Sequence, residues 1–133
     1  MFTSLLKIIY PRSAFWFGTW ALVIFVLCAT PGEYIPSNNW LELLSVDKLV
    51  HASIFCALSF LGLLWLHRKN KLQTLKYTCI AVCSAYGILL EIMQATLFRN
   101  RSADYKDMIA NTLGCLLALW VLKRLQAQLP TYR

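Results

Sequence analysis

The feature that most constrains this chain is a series of four apolar segments, each close to the length that crosses a lipid bilayer. They lie at about residues 13–30, 48–66, 77–98 and 105–122. A single soluble domain of 133 residues has too small an interior to bury four such segments. The sequence therefore predicts an all-α integral membrane protein, a four-helix bundle that forms one transmembrane domain over residues 1–133.

The composition agrees with a membrane protein and argues against a nucleic-acid partner. Hydrophobic residues make up 59% of the chain and charged residues only 14%, against about 25% in an average soluble domain. The net charge is +7, but the basic residues lie in short connections between apolar segments, where they orient helices and contact anionic lipid. We therefore expect membrane lipids as partners and no nucleic acid.

The five cysteines all lie inside apolar segments and include no C-x-x-C pair. An odd number without that spacing indicates small apolar side chains that fill the interior, and neither disulfides nor a metal site.

The positions of lysine and arginine predict how the chain is oriented. With the N-terminus in the cytoplasm, nine of the thirteen basic residues lie on the cytoplasmic side: Lys7, Arg12, Arg68, Lys69, Lys71, Lys76, Lys123, Arg124 and Arg133. The outer side receives Lys48, Arg99, Arg101 and Lys106. Because cytoplasmic loops of membrane proteins carry an excess of these residues, both termini are predicted to be cytoplasmic.

Small residues in the fourth segment indicate close helix packing. Ala110, Gly114 and Ala118 are spaced by four and share one helix face. Such stripes let helix backbones approach one another in lipid, so we expect a compact bundle.

Polar residues are concentrated at the predicted outer ends of three segments. They are Asp47, Lys48 and His51 in the second segment, Glu91 and Gln94 in the third, and Arg101, Asp104, Asp107 and Asn111 in the fourth. Their spacing of three or four places those of one segment on a common face. Ionisable groups at membrane depth are costly unless they are paired or hydrated, and they therefore indicate a functional site. Glu91 lies deepest, and its expected partner is Arg101, His51 or Lys48.

Several of these residues also have a purely structural explanation. Asp47 and Asp104 are suitable helix caps, Asn111 is suited to a hydrogen bond between helices, and an isolated buried histidine is usually structural. Their concentration at one end favours a shared polar pocket or network over coincidence. No cofactor and no resident metal are predicted, and no catalytic residue is assigned.

Three short motifs carry a family resemblance. Residues 47–51 read D-K-x-x-H, residues 91–94 read E-x-x-Q, and residues 101–114 read R-x-x-D-x-x-D-x-x-x-N-x-x-G. In this order, each at a helix end, they resemble the VanZ-like family of small bacterial membrane proteins from Asp47 to about Leu122. Relatives often carry Pro-Gly before the arginine, where this chain has Phe98-Arg99-Asn100. The resemblance implies a multi-pass protein of the bacterial cytoplasmic membrane and a role at the cell envelope linked to teicoplanin resistance, and it implies no reaction.

Three functions stay open at this point. In the first, which we favour, the outer polar pocket binds a lipid headgroup or lipid-linked precursor and modulates susceptibility to teicoplanin-type glycopeptides. In the alternative, the chain is an intramembrane lipid-modifying enzyme in which His51, Glu91, Asp104 and Asp107 supply a general base or the ligands of one divalent metal. In the third, the chain is an assembly subunit and the polar residues only lock the helices together. The oligomeric state is not indicated by the sequence.

Overall fold

A computed structural model of the protein describes residues 2–30, 46–98 and 103–129, and these residues contain helices and no strand. The α-helices are α1 (Phe2–Ile9), α2 (Ser13–Ala29), α3 (Val46–Arg68), α4 (Leu72–Thr96) and α5 (Tyr105–Leu125). Four stretches are long and apolar enough to cross a membrane: Ser4–Ala29, Asp47–Arg68, Leu72–Thr96 and Tyr105–Gln128. The predicted four-helix membrane bundle is therefore confirmed, and its orientation stays a prediction.

The helices extend beyond the apolar segments. Helix α4 begins at Leu72, so Gln73 and Lys76 continue the helix instead of forming a loop. Both are good helix formers, which explains the extension. Helix α3 begins at Val46, so Asp47 lies in its first turn and is not the residue before it.

Asn70 forms the sharp turn between α3 and α4. Its φ angle is 55°, a left-handed conformation that asparagine adopts more readily than most residues. The N–H of Asn70 donates to the carbonyl oxygen of His67 at 3.0 Å, and the N–H of Lys71 donates to that of Leu66 at 2.9 Å. This pair of bonds is the Schellman motif, which satisfies the last carbonyl groups of α3 and reverses the chain.

Helix α3 occupies the centre of the bundle and packs most extensively against α5. The contact is closest at Gly114, where an added Cβ atom would overlap the carbonyl group of Ala52. Ala110, Gly114 and Ala118 are all buried, which confirms that the small residues of α5 form a packing face. The polar residues that precede this contact along α3 and α5 are thereby brought together at one end of the bundle.

The opposite end of the bundle is joined by contacts between the N-terminal segment and the end of α3. Pro11 lies in a 3-10 turn, Tyr10–Arg12, that links α1 to α2. Tyr10 Oη lies 2.7 Å from Nδ1 of His67, and the guanidinium group of Arg68 donates to the carbonyl oxygen of Pro11. These contacts fix the start of α2 against α3.

Candidate functional site

The start of α3, the end of α4 and the start of α5 meet at one end of the bundle. Eight of the polar residues predicted from the sequence are described there, and we call them the polar cluster: Asp47, Lys48, His51, Glu91, Gln94, Asp104, Asp107 and Asn111. The ninth, Arg101, lies outside the described residues. The packing of α3 against α5 brings residues that are about 60 positions apart in the chain into direct contact.

Lys48 pairs with three aspartates. Its Nζ atom lies 2.7 Å from Oδ2 of Asp47, 3.0 Å from Oδ2 of Asp104 and 2.9 Å from Oδ1 of Asp107. Asp47 and Asp104 accept hydrogen bonds from the ammonium group, and Asp107 adds an ion-pair contact. Since Asp104 is the residue before α5 and Asp107 lies in its first turn, the lysine ties the beginnings of α3 and α5 together.

Asp104 both caps a helix and pairs with Lys48. Its Oδ1 atom accepts the backbone N–H of Lys106 at 2.8 Å, which makes it the N-cap of α5. The pKa of the Asp104 carboxyl group lies below its ordinary value. The larger cause is the hydrogen bond from the Lys106 backbone, and the second is the hydrogen bond from the Lys48 ammonium group. The carboxylate is therefore ionised at neutral pH. Asp104 therefore serves both as a helix cap and as a partner of Lys48.

His51 lies among acceptor atoms from the other two helices. Its Nδ1 atom lies 3.1 Å from Oδ1 of Asn111 and 4.0 Å from Oε1 of Glu91, and its Nε2 atom lies 3.7 Å from Oδ2 of Asp107. Each of His51, Glu91 and Asp107 offers one ligand atom, and these three atoms lie within 4.8 Å of one another. Three helices therefore contribute one imidazole and two carboxylates to one small volume.

The two carboxylates near His51 each turn one oxygen toward it and use the other elsewhere. Oδ1 of Asp107 is the atom that contacts Lys48. Oε2 of Glu91 accepts the backbone N–H of Asp104 at 3.4 Å. The side chain of Glu91 is only 2% exposed and that of Asp107 14%. His51, one of the three partners expected for Glu91, is thus the one that the described geometry places beside it.

Gln94 and Gly87 have contacts that the sequence did not indicate. Nε2 of Gln94 donates to the carbonyl oxygen of Cys28 at 3.4 Å, so it joins α4 to the end of α2. A backbone carbonyl carries no side-chain signature, which is why this contact could not be predicted. An added Cβ atom at Gly87 would lie 3.1 Å from Cβ of Asn111, so this glycine leaves room for the amide that contacts His51.

Negative charge is in excess in the polar cluster. Asp47, Glu91, Asp104 and Asp107 are acidic, and Lys48 is the basic residue among them, with His51 as a further group able to carry positive charge. Carboxylates in partly buried positions are stabilised by cations. The arrangement is therefore suited to attract a positively charged ligand, or to move a proton at His51.

Four membrane-length helices with a partly buried, acid-rich polar cluster at one end define a multi-pass helical membrane protein. The chain belongs to the VanZ/LLP1 family, whose model matches residues 2–126. This match extends from α1 to the end of α5 and so covers more of the chain than the motifs between Asp47 and Leu122. No curated protein and no solved structure matches the chain.

Proposed function

We propose that the polar cluster binds the headgroup of a membrane lipid or of a lipid-linked cell-wall precursor. The protein would do so in the outer leaflet of a bacterial cytoplasmic membrane, and this binding would modulate susceptibility to teicoplanin-type glycopeptides. The observation that carries the proposal is the meeting of charged and polar side chains from three helices at one end of the bundle. In a membrane-spanning bundle, such an end lies near the lipid headgroups.

A purely structural role accounts less well for the charges. Below the cluster, the helices pack through apolar residues such as Leu58, Leu63 and Ala118, which are almost completely buried. Apolar contacts of this kind stabilise a bundle at least as well as buried ion pairs do. An excess of carboxylates at membrane depth is costly, and such residues usually serve binding, transport or catalysis.

The chemistry of the cluster supports a headgroup that carries both charge types. The carboxylates suit an amino group, while Arg101, which lies outside the described residues, suits a phosphate or carboxylate. Lipid headgroups and lipid-linked wall precursors combine such groups. The outer location follows from the distribution of lysine and arginine, and the connection to glycopeptides follows from the family resemblance.

Antibiotic susceptibility together with lipid retention tests this proposal. We expect the wild-type chain, expressed in a susceptible Gram-positive host, to raise the inhibitory concentration of teicoplanin and to retain lipid in native mass spectrometry. Glu91→Gln and Arg101→Ala should lose both effects. His67→Gln, at the opposite end of α3, is the matched control and should keep them.

The proposal is wrong if the Glu91→Gln and Arg101→Ala variants are folded and present in the membrane but behave as the wild type does. It is also wrong if a cysteine placed at Lys69 reacts with a membrane-impermeant reagent in intact cells, because the polar cluster would then face the cytoplasm.

The proximity of His51, Glu91 and Asp107 favours a lipid-modifying enzyme as a second candidate. Asn111 orients the imidazole, and a histidine held beside carboxylates is a suitable general base. Turnover of undecaprenyl-type phosphates by purified protein, lost in His51→Gln and kept in His67→Gln, would favour the enzyme over the binding protein. An absence of turnover in protein that retains these lipids would favour the binding protein.

A further inference from the structure

His51, Glu91 and Asp107 lie close enough to one another to approach the arrangement of ligands around a single ion. Nitrogen and oxygen ligands at about 2.0–2.2 Å from a metal lie roughly 3–4 Å from one another. Here Nε2 of His51 lies 3.7 Å from Oδ2 of Asp107. Oε1 of Glu91 lies 4.0 Å from the other ring nitrogen, Nδ1, and one ion can bind only one of the two nitrogens. A ligand atom of each residue lies within 4.8 Å of the others, so small side-chain rotations suffice to close the three around one cation.

We propose that His51, Glu91 and Asp107 bind one divalent cation of the Zn²⁺ or Mn²⁺ class between α3, α4 and α5. This inference goes beyond headgroup binding and does not depend on it, because the three ligands belong to the protein.

The contact between His51 and Asn111 suits a histidine that ligates a metal. A histidine that ligates a metal through one ring nitrogen usually donates the N–H of the other to a carbonyl or carboxylate oxygen, which fixes the ring. Asn111, which is 1% exposed, places its amide oxygen 3.1 Å from Nδ1 of His51. When Nδ1–H donates to this oxygen, the lone pair of Nε2 faces the Asp107 carboxylate. Two lone pairs facing each other repel, and either a proton on Nε2 or a metal ion between them removes the repulsion, which the metal titration below distinguishes.

The other oxygens of the two carboxylates have their own contacts. Lys48 holds Oδ1 of Asp107 at 2.9 Å, and the backbone N–H of Asp104 lies 3.4 Å from Oε2 of Glu91. Each proposed ligand is therefore positioned by a neighbour that is not itself a ligand. Such supporting contacts orient the ligands of metal sites and reduce the entropy lost on binding.

The charge balance and the donor types indicate the class of ion. Lys48 is shared among three aspartates and so cannot neutralise the cluster alone. A dication next to Glu91 and Asp107 would supply positive charge where these carboxylates are least exposed to water. One imidazole and two carboxylates combine a borderline nitrogen donor with hard oxygen donors, which suits Zn²⁺ or Mn²⁺ better than a thiolate-preferring ion.

Metal titration of the purified full-length chain tests the site. The protein is prepared without a histidine tag, stripped with a chelator, and dialysed against ZnCl₂ or MnCl₂ in detergent, with no added lipid or antibiotic. We expect one bound ion per chain, and a loss of affinity of at least about tenfold in His51→Gln, Glu91→Gln and Asp107→Asn. His67→Gln is the matched imidazole control and should bind as the wild type does.

Asn111→Ala tests whether Asn111 positions the His51 ring. Because Asn111 only orients the ring, this variant should still bind one ion, with an affinity about 10- to 100-fold weaker. Mn²⁺ bound to the wild type should also show ¹⁴N hyperfine coupling from one imidazole in pulsed electron paramagnetic resonance. Because this measurement uses the wild-type protein, it tests the site even if a variant fails to fold.

Three results would overturn the metal site: wild-type protein that retains no ion at millimolar metal, folded His51→Gln protein that binds as tightly as the wild type, or bound Mn²⁺ without nitrogen coupling. Each of these can occur while lipid retention persists, and a bound ion can be found in a protein that retains no lipid. Metal binding and lipid binding can therefore be contradicted independently of each other.

Discussion

The two ends of α3 each present a histidine, and the two histidines have different surroundings. His51 lies near the start of the helix among Asn111, Glu91 and Asp107. His67 lies near the other end, where its Nδ1 atom contacts the hydroxyl of Tyr10 at 2.7 Å and its ring meets the tyrosine ring edge-on. One imidazole is surrounded by charge, and the other is part of a neutral hydrogen-bonded contact.

This difference shows how neighbours separate a candidate site from a structural contact. The contacts around His67 join the N-terminal segment to a capped helix end, and Arg68 and Pro11 reinforce that junction. At the polar end, the four carboxylates of the polar cluster outnumber its described basic groups, Lys48 and His51. The same residue type therefore makes a structural contact at one end and is a candidate for ligand binding at the other.

The largest expected effect comes from separating α3 and α5 beneath the polar cluster. In Gly114→Ala, the new Cβ atom would overlap the carbonyl group of Ala52, a backbone atom that cannot rotate away. The helices must move apart, and we expect a loss of about 3 kcal/mol of stability. Thermal unfolding in detergent, followed by circular dichroism, measures the change. Gly18→Ala is the control, since its added Cβ atom meets nothing within 4 Å, and equal losses in both variants would contradict the packing argument.

A smaller effect is expected from removing the ammonium group of the polar cluster. Lys48→Met keeps the apolar stem but leaves Asp47, Asp104 and Asp107 without their shared partner. Breaking a fully buried charge pair costs about 3–5 kcal/mol, and because this lysine is partly exposed we expect about 2 kcal/mol. The same unfolding measurement applies.

Lys76→Met is the matched lysine control at the opposite end of the bundle. Its ammonium group contacts Gln73 and the exposed ring of Tyr77 and no carboxylate among the described residues, so its loss should change stability little. If Lys48→Met is as stable as Lys76→Met, the aspartates do not depend on Lys48, and the described charge network does not stabilise the polar end.

Much of the fold follows from the sequence, because membrane insertion requires long apolar helices and little else. The small stripe at Ala110, Gly114 and Ala118 also predicted the packing face of α5 correctly. The convergence of His51, Asp107 and Asn111 was predictable for a related reason: helix ends that alternate across a membrane bring distant residues to the same side.

The finer geometry was not predictable. Which carboxylate contacts Lys48 and which faces His51 depends on side-chain rotamers, and spacing along a helix does not determine these. The bond from Gln94 to the carbonyl oxygen of Cys28 depends on how α2 is tilted against α4, and no local sequence pattern encodes that tilt. The position of Arg101 relative to Glu91 lies outside the described residues and stays a prediction.

The smallest expected effect comes from removing the contact between Tyr10 and His67. Tyr10→Phe removes the hydroxyl that contacts His67 while keeping the buried ring, and the loss of one hydrogen bond should reduce stability by about 1 kcal/mol. Tyr77→Phe, which removes a hydroxyl from a largely exposed ring, should change stability less. Because the His67 contact is purely structural in our interpretation, Tyr10→Phe should leave metal binding and lipid retention at the wild-type level. A loss of either in a folded Tyr10→Phe protein would mean that the two ends are coupled through α3, and that the separation between a stabilising and a binding histidine is wrong.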